Sequence, residues 1–184
     1  MRGCRVGTVE ARSLAGCCGL YCGLCTKFQS KARTRCVGCK LGEQHSCCSI
    51  WNCCVRKLGL ETCAECDEVF ACRIHVRRKV TEWVPAAGNL LQIREIGLES
   101  WLGTQEQRQT LAEELLQNYN EGRSMSFYCK ACERMPVPLI HRAIEETKKR
   151  IAAGNLEGSD VETKAKIARN TISELALAHN IALR

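Results

Sequence analysis

Thirteen of the chain's sixteen cysteines fall between Cys17 and Cys72, in the stretches "CCGLYCGLC", "RCVGC", "SCCSIWNCC" and "TCAEC" with Cys72 behind them. No other feature restricts the fold so strongly. The same region is poor in large apolar residues, with Leu20, Tyr21, Leu24, Phe28, Ile50, Trp51 and Leu58 as its expected anchors. A segment this small cannot bury enough surface to offset the entropy of ordering its chain, so its sulfurs have to be cross-linked.

Disulfides, metal ions and thiol exchange are the three chemistries open to such a pattern. The opening "MRGCRVGTVEARSLAG" has no apolar core of the kind an export signal requires, which argues against a secreted disulfide framework. No run approaches the ~20 apolar residues needed to span a bilayer. A cytoplasmic protein with no membrane partner is expected, and in that reducing setting clustered Cys-x-x-Cys pairs hold metal. "CGLC" also has the spacing for thiol-disulfide exchange, but the βαβ context of that motif is absent.

Four Cys-x-x-Cys pairs are present: Cys22/Cys25, Cys36/Cys39, Cys63/Cys66 and Cys129/Cys132. Each presents two sulfurs on one side of a tight turn, and two such turns complete a tetrahedron. The preferred first site joins Cys22, Cys25, Cys36 and Cys39; the second takes Cys48, Cys53, Cys63 and Cys66. Cys18 and Cys72 are open to either site or to a third. His45 and His141 read as surface residues, and Cys129/Cys132 either complete a site with spare N-terminal thiols or are buried thiols. Zinc is favoured, with a four-iron, four-sulfur (4Fe-4S) cluster as the alternative. The C-x3-C-x2-C spacing of Cys18, Cys22 and Cys25 resembles that of radical S-adenosylmethionine enzymes, yet no alternation of strands and helices follows it. Pro85, Pro136 and Pro138 all lie away from cysteines, unlike the ferredoxin run that ends in Cys-Pro.

Net charge is +7, and residues 1–80 hold 14 Lys and Arg against 6 Asp and Glu. A basic half raises the possibility of a nucleic-acid partner. Each metal bound by four thiolates, however, carries a charge of about −2, so the basic residues can balance their own metal sites. The "RIHVRRKV" stretch from Arg73 to Val80 reads as a solvated basic face. A protein partner is therefore expected ahead of nucleic acid. There is no phosphate-binding Gly loop, nucleophile elbow or His-Glu-x-x-His, and Glu145/Glu146 sit among lysines. Catalysis is left open, with the balance against it.

The expected architecture is mainly α: a flexible leader over 1–16, a metal-stabilised Cys-rich module over 17–84, and a helical region over 85–184 that ends in an antiparallel helix hairpin. Asn52 to Leu58 should form a short helix closed by Gly59. A longer one should start near Asp67 and stop at Pro85, and Leu90 to Leu102 suggest another. Thr104 with Gln107, and Ser159 with Glu162, are capping-box signatures for two later helices. Val137 to Ile151 and the stripe Val161, Ala165, Ala168, Ile172 and Leu175 should supply the hairpin.

Taken in order, "CGLYCGLC", "CVGC", "CSIWNC" and "LGLETCAECDE" resemble an uncharacterised Cys-rich family of bacteria and archaea, domain of unknown function 3795. The resemblance covers about Cys18 to Cys72. It implies a small module with zinc or iron-sulfur ligation, with Cys18, Cys22, Cys25, Cys36, Cys39, Cys48, Cys53, Cys63, Cys66 and Cys72 as the matching positions. Doubled cysteines at Cys47/Cys48 and Cys53/Cys54 depart from the family pattern, as does "CDEVFAC" before Cys72.

Overall fold

The computed structural model describes residues 10–77 and 84–183. They form a mainly helical protein, and among them the sole β-type pairing is an isolated bridge between Ala15 and Tyr21. The Cys-rich part contains only short helices: α1 (Ala11–Leu14), α2 (Thr26–Gln29), α3 (Ser49–Trp51) and α4 (Arg73–Arg77). Long helices follow: α5 (Val84–Ile96), α6 (Leu98–Tyr119), α7 (Met125–Arg134), α8 (Val137–Ala153) and α9 (Val161–Ala178). No helix among the described residues is long and apolar enough to cross a membrane.

The chain divides into two compact units that interleave in sequence. The first comprises Met1–Gly23 and Cys36–Gly103, the second Leu24–Arg35 and Thr104–Arg184. The sequence-based expectation placed boundaries at 16/17 and 84/85. The segment carrying α2 packs against α7 and so leaves the Cys-rich unit, while α5 packs on the Cys63–Glu65 turn and joins it.

In the first unit α1, within the stretch expected as a leader, buries Ala11 and Leu14; residues 1–9 lie outside those described. Trp101 is fully buried with its ring edge-on to Tyr21 at 6.0 Å. Arg94 donates to the carbonyls of Ala64 at 2.6 Å and Cys66 at 2.7 Å, tying α5 to the "CAEC" turn. The helix expected from Asp67 to Pro85 is instead a 3-10 turn at Val69–Ala71, extended backbone at Cys72, and then α4. The Val80 and Trp83 part of that expectation lies outside the described residues. Pro85 lies within α5 instead of following a helix end. Nor does a helix begin at Thr104: buried Trp101 and Leu102 carry α6 through that point from Leu98, leaving no helix end there to cap.

In the second unit α8 and α9 form the expected antiparallel hairpin, closed by the turn at Gly154–Asp160. Ile140, Ala143, Ile144 and Ile151 of α8 and Ala165, Ala168 and Ile172 of α9 are buried. The N-cap of α9 is Asp160 rather than Ser159; its carboxylate accepts from the Thr163 amide at 2.8 Å. That hydrogen bond holds its pKa below the usual carboxylate range. The half-buried Arg108 guanidinium is directed at the carbonyls of Cys132, Glu133 and Met135, which close the C-terminal end of α7. Arg108→Met removes that donor and leaves the carbonyls unsatisfied. The expected cost is about 2–4 kcal/mol, read from urea unfolding of the helical signal.

Candidate metal centre

Three cysteines converge in the first unit. The sulfurs of Cys17, Cys54 and Cys63 lie within 4.8 Å of one another, and all three residues are buried. No disulfide joins the described cysteines.

Local backbone geometry places each sulfur. Cys63 is brought to Cys17 by its own amide, which donates to the Cys17 carbonyl at 2.8 Å. Cys63 also opens a 3-10 turn held by a capping box: the Thr62 hydroxyl accepts from the Ala64 amide, and the Glu65 carboxylate accepts from the Thr62 amide at 2.7 Å. Cys54 lies in the π-helical stretch Asn52–Lys57 that continues α3. The stretch ends as the sequence suggests, with Gly59 at φ +68° and the Leu60 amide returning to the Cys54 carbonyl at 3.0 Å. Of the Cys53/Cys54 doublet, Cys54 is buried and meets the other two sulfurs, whereas Cys53 is half-exposed.

The three sulfurs share one concentration of negative charge. Hydrogen bonds from Cys17, and then from Cys63, hold the Cys54 pKa down to about 4. Hydrogen bonding with Cys17, and then with Cys54, together with burial pushes Cys63 well above the usual thiol range. Cys17 is raised as well, foremost by its bond to Cys54. A thiolate backed by two neighbouring thiols is a ligand set from which a divalent cation displaces the remaining protons. Beside it lies a cavity of about 20 Å³, lined in part by Cys53, Cys54, Cys63, Cys66, Cys72 and His75. His75 is only 2% exposed, and its Nε2 has no hydrogen-bond partner. Burial lowers the His75 pKa, against a smaller opposing effect of Cys54.

A second neighbourhood forms around "CVGC". Cys22 Sγ accepts from the Cys39 thiol and, at 3.5 Å, from the Cys39 amide; these bonds and Lys40 bring its pKa to about 6 against the opposing effect of burial. The Gly38 amide points at Cys36 Sγ at 3.4 Å, in a turn that places Gly38 at φ +104°, open to glycine at little cost. Amides aimed at sulfur favour the thiolate that a metal requires. Cys18 and Cys36 lie close enough to raise the Cys39 pKa, and Cys48 close enough to raise that of Cys18.

The expected ligands therefore distribute as follows. Cys22, Cys36 and Cys39 share a neighbourhood with Cys18 and Cys48, while Cys25 belongs to the second unit and lies near Cys129. Of the second expected site, Cys63 is in the buried triad, Cys53 and Cys66 line the cavity with Cys72, and Cys48 faces Cys18. Cys129 and Cys132 are buried on α7, and burial raises both to about 12. His45 sits with Nδ1 at 2.9 Å from the Cys39 carbonyl and its ring against Trp51; His141 is exposed. Sequence reasoning missed Cys17 and Cys54, which are members of doublets. Nor did it single out His75, which is buried inside a segment that reads as basic surface.

Fold and site together define a helical protein with a buried three-thiol cluster suited to a metal ion. No family model, curated protein or solved structure matches the chain.

Proposed function

We propose that the Cys-rich unit is a zinc-dependent, non-catalytic module whose metal holds it folded for contact with a protein partner. The observation that carries this reading is the convergence of three buried sulfurs in a unit whose helical segments around them are short: α1 of four residues, the Cys63–Glu65 turn of three, and α3 of three with the six-residue π stretch that continues it. Such segments are unstable alone, so a metal supplies what helix propagation and core burial cannot. Zinc–sulfur bonds of ~2.3 Å put tetrahedral sulfurs about 3.8 Å apart, within the 4.8 Å spread of the triad. An iron-sulfur cluster holds its cysteines further apart, because irons and inorganic sulfides lie between them. The resemblance of Cys18–Cys72 to the Cys-rich family agrees with metal binding and extends the ligand set to the Cys22/Cys36/Cys39 neighbourhood.

Two observations favour a protein partner over nucleic acid. Val37, Leu41, Leu58, Phe70 and Val76, all in this unit, are exposed apolar residues. Several of its cations are already engaged: Arg12 pairs with Glu61 and Glu99, Lys40 lies near Glu61, and Arg94 bonds to backbone carbonyls.

Protein purified without oxygen is expected to be colourless and to contain zinc by elemental analysis. Brown material with iron and labile sulfide would transfer the reading to an electron-carrying cluster. Binding to RNA or DNA that weakens steeply with added salt would overturn the choice of partner.

A further inference from the structure

We infer that His75 completes the Cys17–Cys54–Cys63 site through Nε2, making a three-cysteine, one-histidine centre; this rests on the metal reading above. Three thiolates leave a zinc-type ion one ligand short of a tetrahedron. The cavity beside the triad offers Cys53, Cys66, Cys72 and His75. Cys53 is half-exposed and lies outside the triad that its doublet partner Cys54 joins. Cys66 and Cys72 are each half-exposed. His75 differs from all three, because it is 98% buried and its Nε2 finds no partner. A polar ring nitrogen is rarely buried without something to bind it.

Charge supports the same choice. A divalent ion with three thiolates carries about −1, which a neutral imidazole leaves unchanged and a fourth thiolate makes −2. The less charged centre is the less costly one to bury. Bonding by His75 also gives α4 a structural role, since ligation would anchor the basic Arg73–Arg77 turn to the sulfur cluster.

Cobalt(II) reconstitution of the full chain tests this, since cobalt reports its ligands through visible ligand-field bands. His75→Ala is expected to weaken cobalt binding about tenfold or more in competition with a chelator, and to lower the intensity of the tetrahedral bands. His75→Cys is expected to restore binding with those bands moved to longer wavelength, because thiolate is a weaker-field ligand than imidazole. The second variant keeps the test decisive if the first fails to fold. Unchanged affinity in His75→Ala, unchanged bands in His75→Cys, or the same loss appearing in Cys66→Ser or Cys72→Ser instead would overturn the assignment while leaving the metal reading in place. A native chain that takes up neither zinc nor cobalt would overturn both.

Discussion

Cys54→Ser is expected to lose about one equivalent of metal and most of the protected amides of the first unit, whereas Cys53→Ser keeps its metal. The contrast follows from the direction in which the π-helical stretch points each member of the doublet, since only Cys54 meets Cys17 and Cys63. Structural zinc contributes roughly 10–16 kcal/mol to the folding of small modules. Whole domains are stable by only about 5–15 kcal/mol, so losing the ion unfolds the unit rather than softening it. Elemental analysis combined with hydrogen exchange reads both effects. The α8–α9 hairpin should retain its protection, because its buried stripe contains no cysteine. Equal metal loss from the two variants, or full metal in Cys54→Ser, would refute the triad.

Gly19→Ala should cost the first unit about 3 kcal/mol or more. An added Cβ would stand 2.6 Å from the Ala86 carbonyl oxygen and 2.8 Å from Leu90 Cγ. The backbone there is also left-handed, at φ +89°. Relaxation is restricted, because Asn89 donates to the Gly19 carbonyl at 2.8 Å and Leu90 is buried to 1% exposure. The conformational cost of about 1–2 kcal/mol and an overpacking cost of about 1–3 kcal/mol act together. Gly103→Ala is the useful contrast. Inside α6 its Cβ would meet nothing within 4 Å, so the gain in helix propensity should stabilise by up to about 1 kcal/mol. Thermal melts of the two metal-loaded variants should move in opposite directions.

Periodic, strongly apolar helices were the most legible part of the chain. The α8–α9 hairpin followed from stripes of Ile and Ala, and its short connection left little choice of partner. Gly59 closed its helix as a left-handed residue is expected to. Capping signatures were less dependable, because Thr104 lies within a helix that buried Trp101 had already committed. Within the cysteines, the expected "CVGC" turn directs its Gly38 amide at Cys36 Sγ. Cys22 and Cys25 fall on either side of the division between the two units.

Apolar periodicity marked the chain as mainly helical, and the ratio of thiols to large apolar residues marked its Cys-rich end as one that calls for a cross-link beyond its own core. Only tertiary structure decided which sulfurs meet. Cys-x-x-Cys spacing constrains two atoms within one turn, whereas convergence between turns depends on long-range bonds such as that from the Cys63 amide to the Cys17 carbonyl. It depends equally on a wide π turn that selects Cys54 and on a short helix that buries His75. These are packing outcomes, written in the sequence as a whole and in no single motif of it.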